Sequence, residues 1–175
     1  MAPPSDLRAE LARALLALLL ALPLAACHRG IPPYAPDEAR KTFQVEAGYS
    51  IELVTAEPNV ASPVALDFDE DGRLFVVEMP GYPLDTGPTG RVRLLEDRDG
   101  DGRFERSGVF ADGLVLPTGV MRYRKGVLVT AAPDVWYLED ADGDGKAETR
   151  EKVLTGFAFS NPQHTVNSPV FSLDN

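Results

Sequence analysis

The feature that most constrains the fold of this chain is an internal repeat. Residues 95–105 align with residues 138–148 at an offset of 43 residues, and both segments contain an Asp-x-Asp-Gly-Asp-Gly run. Downstream, residues 109–114 match residues 153–157 after a slip of one residue, so the repeat is longer than the acidic run. A period of about 40 to 45 residues with four strands in each unit is typical of a β-propeller blade.

The hydrophobic pattern past residue 42 favours strands, since no convincing apolar period of 3.6 is present. The chain also carries 15 Gly and 15 Pro, which favours many short strands and turns over a helical bundle. We therefore expect an all-β fold over residues 43–175. The strands of one blade are predicted near residues 63–68, 73–79, 90–96 and 103–110, and those of a second near 118–124, 126–131, 135–139 and 146–154.

Two further strands are predicted outside these blades. One covers Ile51–Thr55, and the other is a short strand over residues 169–173, in a third blade that begins near Val166. Because a propeller needs at least about four blades to close, two blades and the start of a third predict an incomplete β-propeller. On this interpretation the chain is truncated at its C-terminal end and by itself lacks a complete active site.

The first 26 residues have the order of an export signal: two arginines, an apolar stretch over residues 14–22, and small residues before Cys27. The segment Leu-Ala-Ala-Cys at 24–27 resembles a bacterial lipobox, which predicts lipidation of Cys27. The alternative is an ordinary signal peptide with an incidental cysteine. A lipidated Cys27, followed by a Pro-rich spacer over residues 27–42, would anchor the protein in a membrane of the bacterial cell envelope, facing the periplasm or the exterior.

The charge of the chain bears on its partners. With 27 acidic and 17 basic residues the net charge is -10, which is unfavourable for binding nucleic acid. The single cysteine excludes an intrachain disulfide and any multi-cysteine zinc or iron–sulfur site.

The acidic repeats match positions 1, 3, 5 and 9 of a calcium-binding loop, with glycine at position 6 for the sharp turn. Calcium prefers hard oxygen ligands and would relieve the repulsion between these carboxylates. Position 12 is Gly108 in the first loop and Glu151 in the second, so the first should bind more weakly. The alternative is a solvated Asp-Gly hairpin without metal. The candidate ligands are Asp97, Asp99, Asp101 and Glu105, and Asp140, Asp142, Asp144 and Glu148. A similar start at residues 67–72 has Phe75 at position 9, which favours a plain hairpin turn.

Several strings in fixed order carry a family resemblance. Residues 46–54 (EAGYSIELV), 63–79 (PVALDFDEDGRLFVVEM), 110–114 (FADGL) and 163–168 (QHTVNS) are the clearest. They resemble the N-terminal domain of the planctomycete-type membrane-bound dehydrogenases, which are similar to quinoprotein propellers of the sugar dehydrogenase type.

This resemblance implies an activity: oxidation of sugar or polyol hydroxyls with pyrroloquinoline quinone and calcium, and a cytochrome c as possible electron acceptor. It also implies that His164 is the general base that takes the hydroxyl proton. A structural histidine is the alternative. The chain has no Cys-x-x-Cys-His motif, so it encodes no haem site of its own.

Strand alternation places the acidic loops and His164 on opposite faces of the predicted propeller, and the connection over residues 80–89, with Tyr82, on the face of His164. A rival function from another class is a non-catalytic, calcium-stabilised propeller that binds glycans or proteins. Fold analogy does not choose between the two.

Overall fold

A computed structural model of the chain describes residue 10 and residues 32–173. Contacts divide the chain into two units, Met1–Thr42 and Phe43–Asn175. In the first unit a short helix, α1, covers Pro36–Arg40. The predicted signal peptide and Cys27 lie outside the described residues. Within the described part, no helix has the length and apolar character needed to cross a membrane.

The second unit consists of eight strands in two antiparallel sheets, so the predicted all-β class is confirmed. Sheet A has the order β1-β2-β3-β4 and sheet B the order β5-β6-β7-β8. The strands are β1 (Pro63–Phe68), β2 (Leu74–Glu78), β3 (Gly90–Glu96), β4 (Arg106–Leu114), β5 (Pro117–Tyr123), β6 (Gly126–Ala131), β7 (Asp134–Glu139) and β8 (Thr149–Thr155). Each sheet is therefore one unit of the sequence repeat, with its strands in chain order.

Two predicted strands are not formed among the described residues. Residues 51–56 and 166–172 have irregular backbone instead of strands. A strand requires a neighbour to complete its ladder, and neither segment has one within the described residues. The fourth strands also begin three residues later than predicted. In each case the residue two positions before the strand donates its N–H outside the ladder: Phe104 to the C=O of Val54, and Ala147 to the C=O of Phe110.

The core lies mainly between the two sheets. Its buried residues include Phe75, Val92 and Phe110 from sheet A and Val127 and Val129 from sheet B. The rings of Phe75 and Phe110 meet edge to face with centroids 5.0 Å apart, a favoured aromatic geometry. A second, smaller cluster covers the other face of sheet A and contains Val60, Leu74, Val76, Leu95 and Phe104.

The repeat extends to backbone conformation at the start of each first strand. Ser62, Leu116 and Ser168 all have positive φ, at 49°, 41° and 48°, and each is followed by a proline. Positive φ is uncommon for residues other than glycine. The first two immediately precede β1 and β5. The third, at Ser168-Pro169, marks the same backbone feature a third time along the chain.

Candidate metal centres and a polar cavity

The first acidic loop connects β3 to β4 and is organised by Asp97. Its two carboxylate oxygens accept hydrogen bonds from the backbone N–H groups of Gly100 and Gly102, at 2.7 and 2.9 Å. Both glycines have positive φ, at 77° and 88°, so the tight turn needs residues without a Cβ there. The N–H of Gly102 first, and then that of Gly100, holds the pKa of Asp97 below its ordinary value. Asp97 therefore stays ionised, as a cation ligand must.

The second loop, between β7 and β8, repeats this geometry bond for bond. Asp140 accepts from the N–H groups of Gly143 and Gly145 at 2.6 and 2.8 Å. At the far side of each loop a glutamate closes the turn: Glu148 accepts from the N–H of Ala141 at 2.9 Å, as Glu105 does from that of Arg98 at 3.2 Å. The two sequence repeats thus fold into the same local structure.

The sequence-predicted ligands come together in both loops. In each group of four, one ligand oxygen from every residue lies within 4.8 Å of those of the others. The groups are Asp97, Asp99, Asp101 and Glu105, and Asp140, Asp142, Asp144 and Glu148. Such a set of hard, anionic oxygens suits calcium or magnesium and offers nothing to soft metals. Glu151, at position 12 of the second loop, lies in β8 and is not part of the convergent group.

The third Asp-Gly turn differs from these two loops. Asp69 accepts from the backbone N–H groups of Asp71 and Arg73 and forms an ion pair with the Arg73 guanidinium at 2.7 Å. This turn joins β1 to β2. The Asp69 carboxylate is paired with Arg73, and residues 67–72 form the hairpin turn between β1 and β2 that the sequence predicts.

His164 is exposed, and its backbone N–H donates to the C=O of Asn161 at 3.0 Å. Its neighbours Gln163 and Thr165 line a cavity of about 440 Å³ that also contains Tyr82, whereas His164 does not line it. The other lining residues are Val64, Met79, Thr118, Pro162, Asn167 and Ser168.

The topology separates this cavity from the acidic loop of sheet A. The Tyr82 connection leads into the start of β3, and the first acidic loop follows its end. The two features therefore lie at opposite ends of one strand, in line with the sequence-based expectation of opposite faces. Thr118, at the start of β5, holds the cavity wall by donating its hydroxyl to the C=O of Val166 at 2.5 Å.

The sequence reasoning missed Glu78. Its side chain is fully buried at the end of β2, where it forms ion pairs with Arg91 and, at 3.0 Å, with Arg93. It also accepts from the N–H of Ala61 at 2.6 Å. A glutamate at the end of the apolar run Leu-Phe-Val-Val, followed by two arginines on the next strand, was the available signal. Through these contacts Glu78 connects the segment that precedes β1, at Ala61, to the arginines of β3.

A family described as a domain of unknown function (DUF7133) matches residues 35–175. No curated protein and no solved structure matches the chain.

Proposed function

The chain belongs to the DUF7133 family, and from this premise we propose that it is a calcium-stabilised β-propeller protein of the bacterial envelope that binds glycans without catalysis. Sheets A and B are two neighbouring blades. Calcium occupies the two acidic loops, and the polar cavity beside Tyr82 receives a sugar or polyol. The observation that carries this proposal is the duplicated, convergent set of four carboxylates.

The propeller interpretation is supported by the backbone repeat. Two four-stranded antiparallel sheets follow one another with the same strand order and share an apolar interface. The pair of positive φ and proline that begins β1 and β5 recurs at Ser168-Pro169. Neighbouring blades of a propeller are related in this way.

Calcium fits the loops chemically. Each has four carboxylates around one centre, and their mutual repulsion is relieved by a bound cation. If calcium binds only the folded protein, a concentration about 100 times the dissociation constant adds about 2.7 kcal/mol of stability. The loops of this proposal stabilise the fold and take no part in chemistry at the cavity.

The calcium proposal is tested by thermal melts of the full chain with calcium and with a chelator. The melting temperature should be higher with calcium, and the double variant Asp99→Ala, Asp142→Ala should lose the difference. Asp71→Ala is the matched control, because Asp71 is an exposed acid in the third Asp-Gly turn. Identical wild-type melts in both conditions would show that the loops are ordinary turns.

The cavity supports a neutral hydroxylated ligand. It presents a tyrosine together with the amides and hydroxyls of Gln163, Thr165 and Asn167, and none of the residues that line it is charged. Aromatic faces and amide groups together suit the mixed apolar and hydroxyl surface of a sugar. Titration with a panel of neutral sugars and polyols should give binding that Asn167→Ala weakens and Tyr49→Ala leaves unchanged. Tyr49 is an exposed tyrosine outside the cavity.

A quinoprotein-type dehydrogenase that passes electrons to a cytochrome c is the second candidate. The same cavity favours it, because its substrate would also be a sugar or polyol hydroxyl. The cavity does not fit pyrroloquinoline quinone, however, because none of its lining residues is cationic and could pair with the three carboxylates of that cofactor. Quinone-dependent oxidation of a bound sugar would replace the first proposal with this one.

Envelope anchoring through Cys27 is tested separately. The wild-type protein should fractionate with membranes and carry a diacylglycerol-modified Cys27 in its mature form, whereas Cys27→Ser should not. An unmodified Cys27 in the mature wild-type protein would contradict the anchor and leave the calcium and glycan proposals untouched.

A further inference from the structure

We propose that residues 51–56 are the outermost strand of a further four-stranded sheet, which packs against the face of sheet A opposite sheet B. The inference rests on the proposed propeller and extends it, because it assigns a place in the ring to a segment that belongs to neither sheet. The proposed partner is a sheet of three strands whose third strand has a free edge. Residues 51–56 would pair with that edge as the fourth strand.

The first argument is a pair of equivalent hydrogen bonds. Phe104 and Ala147 occupy the same position in the repeat. The N–H of Ala147 donates to the C=O of Phe110, in the outermost strand of sheet A, at 2.8 Å, and the N–H of Phe104 donates to the C=O of Val54 at 2.9 Å. Val54 therefore has the same relation to sheet A as Phe110 has to sheet B. Phe110 lies in the last strand of the sheet that precedes sheet B, so Val54 would lie in the last strand of a sheet that precedes sheet A.

The second argument concerns the apolar faces. In sheet B the face that carries Val127, Val129 and Leu138 packs against the strands of sheet A. The equivalent positions in sheet A, by strand register, are Leu74, Val76 and Leu95. Among the described residues, their cluster gains only Phe104 and Val60. Among the described residues, two side chains thus join a cluster whose equivalent in sheet B packs against a whole sheet.

The third argument compares the cavities beside the two acidic loops. The second loop faces a cavity that is lined by two strands of sheet A, with Leu94 and Glu96 from β3 and Gly108 and Val109 from β4. The cavity of about 360 Å³ beside the first loop is lined by residues 53–57 and Asn59. These residues take the position that β4 has beside the second loop. No described residue lines it in the place of β3. The third strand of the further sheet would fill that place.

The sequence of the segment suits this role. Ile51-Glu52-Leu53-Val54-Thr55 is rich in β-branched and apolar residues, which favour strands. Its backbone nevertheless forms no ladder among the described residues, and Thr55 has a buried hydroxyl without a hydrogen-bond partner there. The register of Val109 and Ala111 with β3 indicates that Leu53 and Thr55 would pair with an antiparallel strand.

A complete copy of sheet A or sheet B does not fit this site. Each would bring its own fourth strand into the space that residues 51–56 already occupy. A partner with three strands has no such conflict, and main-chain hydrogen bonds to the added strand then complete it, as in other cases of strand addition.

Hydrogen–deuterium exchange tests the proposal on two samples: the protein isolated from the cells that make it, and the 175-residue chain produced alone at several concentrations. In the first sample the amides of residues 51–55 should exchange roughly tenfold or more slowly than in the dilute chain, because ladder amides are protected. Leu53→Pro removes one of these N–H groups and should abolish the protection, whereas Glu57→Ala should keep it. Exchange of β2 amides should be slow in every sample.

Two results would overturn the proposal: rapid exchange of residues 51–55 in both samples at every concentration, or equal protection in the dilute, monomeric chain. Leu154 is 57% exposed here. Hydroxyl-radical footprinting of Leu154 distinguishes failure of the proposed strand at residues 51–56 from failure of the proposed propeller. A shielded Leu154 in the isolated protein with rapid exchange at 51–55 would leave the propeller standing and remove this strand from it. An exposed Leu154 would contradict both.

Discussion

Ala147 donates its backbone N–H to the C=O of Phe110 at 2.8 Å, and this bond ties the second acidic loop to β4, an edge strand of sheet A. Phe110 is available because it lies at a bulge: Val109 and Ala111 pair with β3, and Phe110 has no partner in that register. Val153 occupies the same bulge position in β8. A cation in the second loop would therefore stabilise a contact between sheets as well as its own turn.

Removal of the Glu78 carboxylate should be among the most destabilising changes in sheet A. Glu78→Ala leaves Arg91 and Arg93 without their buried counter-charge and the N–H of Ala61 without its acceptor. Loss of one member of a buried ion pair typically costs 3 to 5 kcal/mol, so we expect about that decrease in the free energy of unfolding, measured by urea denaturation.

Glu96→Ala is the matched control for Glu78→Ala. Glu96 also pairs with two arginines, Arg106 at 2.9 Å and Arg98 at 3.7 Å, but at the surface. Exposed pairs contribute roughly 0 to 1 kcal/mol. Equal losses for the two variants would contradict the assignment of Glu78 as the buried anchor.

Gly126→Ala should destabilise sheet B for a steric reason. A Cβ at position 126 would lie 2.0 Å from the backbone oxygen of Leu138, and backbone cannot move aside as a flexible side chain can. Overpacking of this kind costs about 1 to 3 kcal/mol. Gly108→Ala in β4 is the control, because its Cβ would meet no atom within 4 Å. Chemical denaturation of both variants should give a loss only for Gly126→Ala.

The stability of the protein should depend on the charge of Asp134. Thr155 donates to its carboxylate at 2.6 Å and Lys152 forms an ion pair with it at 2.9 Å, and these two contacts lower its pKa. A lowered pKa in the folded state contributes stability above the unfolded value of about 3.9, and this contribution is lost as pH falls through the folded value.

Asp134→Asn should therefore reduce the pH dependence of the urea midpoint below about pH 4, in the absence of divalent cations. Asp112→Asn changes an exposed side chain and should leave that dependence as in the wild type. If both variants titrate like the wild type, the contacts of Asp134 do not couple to folding.

Local sequence determined much of the fold. The strands β1, β3 and β6 have their predicted bounds, because prolines and glycines stand at or near their ends and the strand faces alternate or are continuously apolar. The acidic loops were equally predictable, since all four ligands of each lie within nine consecutive residues. In both cases the interacting groups are neighbours in sequence.

Features that join distant segments could not be predicted in this way. Residues 51–56 have a strand-like sequence, but their conformation depends on a partner strand that the sequence pattern does not supply. The ion pairs of Glu78 depend on the register of β2 with β3, and the cavity depends on the approach of Gln163 to Tyr82. The same limit applies to His164, whose predicted role depends on where the rest of its segment packs.

Substitution of His164 should distinguish the two candidate functions. His164 is exposed and does not line the cavity, although Gln163 and Thr165 do. For a glycan-binding protein, His164→Ala should leave sugar affinity within about twofold, a change below 0.5 kcal/mol, while Tyr82→Ala should weaken it more strongly. For a dehydrogenase whose general base is His164, the same variant should lower quinone-dependent turnover by roughly 10² to 10⁴. Calorimetric titration with neutral sugars and an assay with an artificial electron acceptor, on the same preparations and with a thermal melt of each, give both readouts. Sugar affinity that His164→Ala leaves unchanged supports the binding function, and turnover that His164→Ala abolishes in a folded variant would refute it.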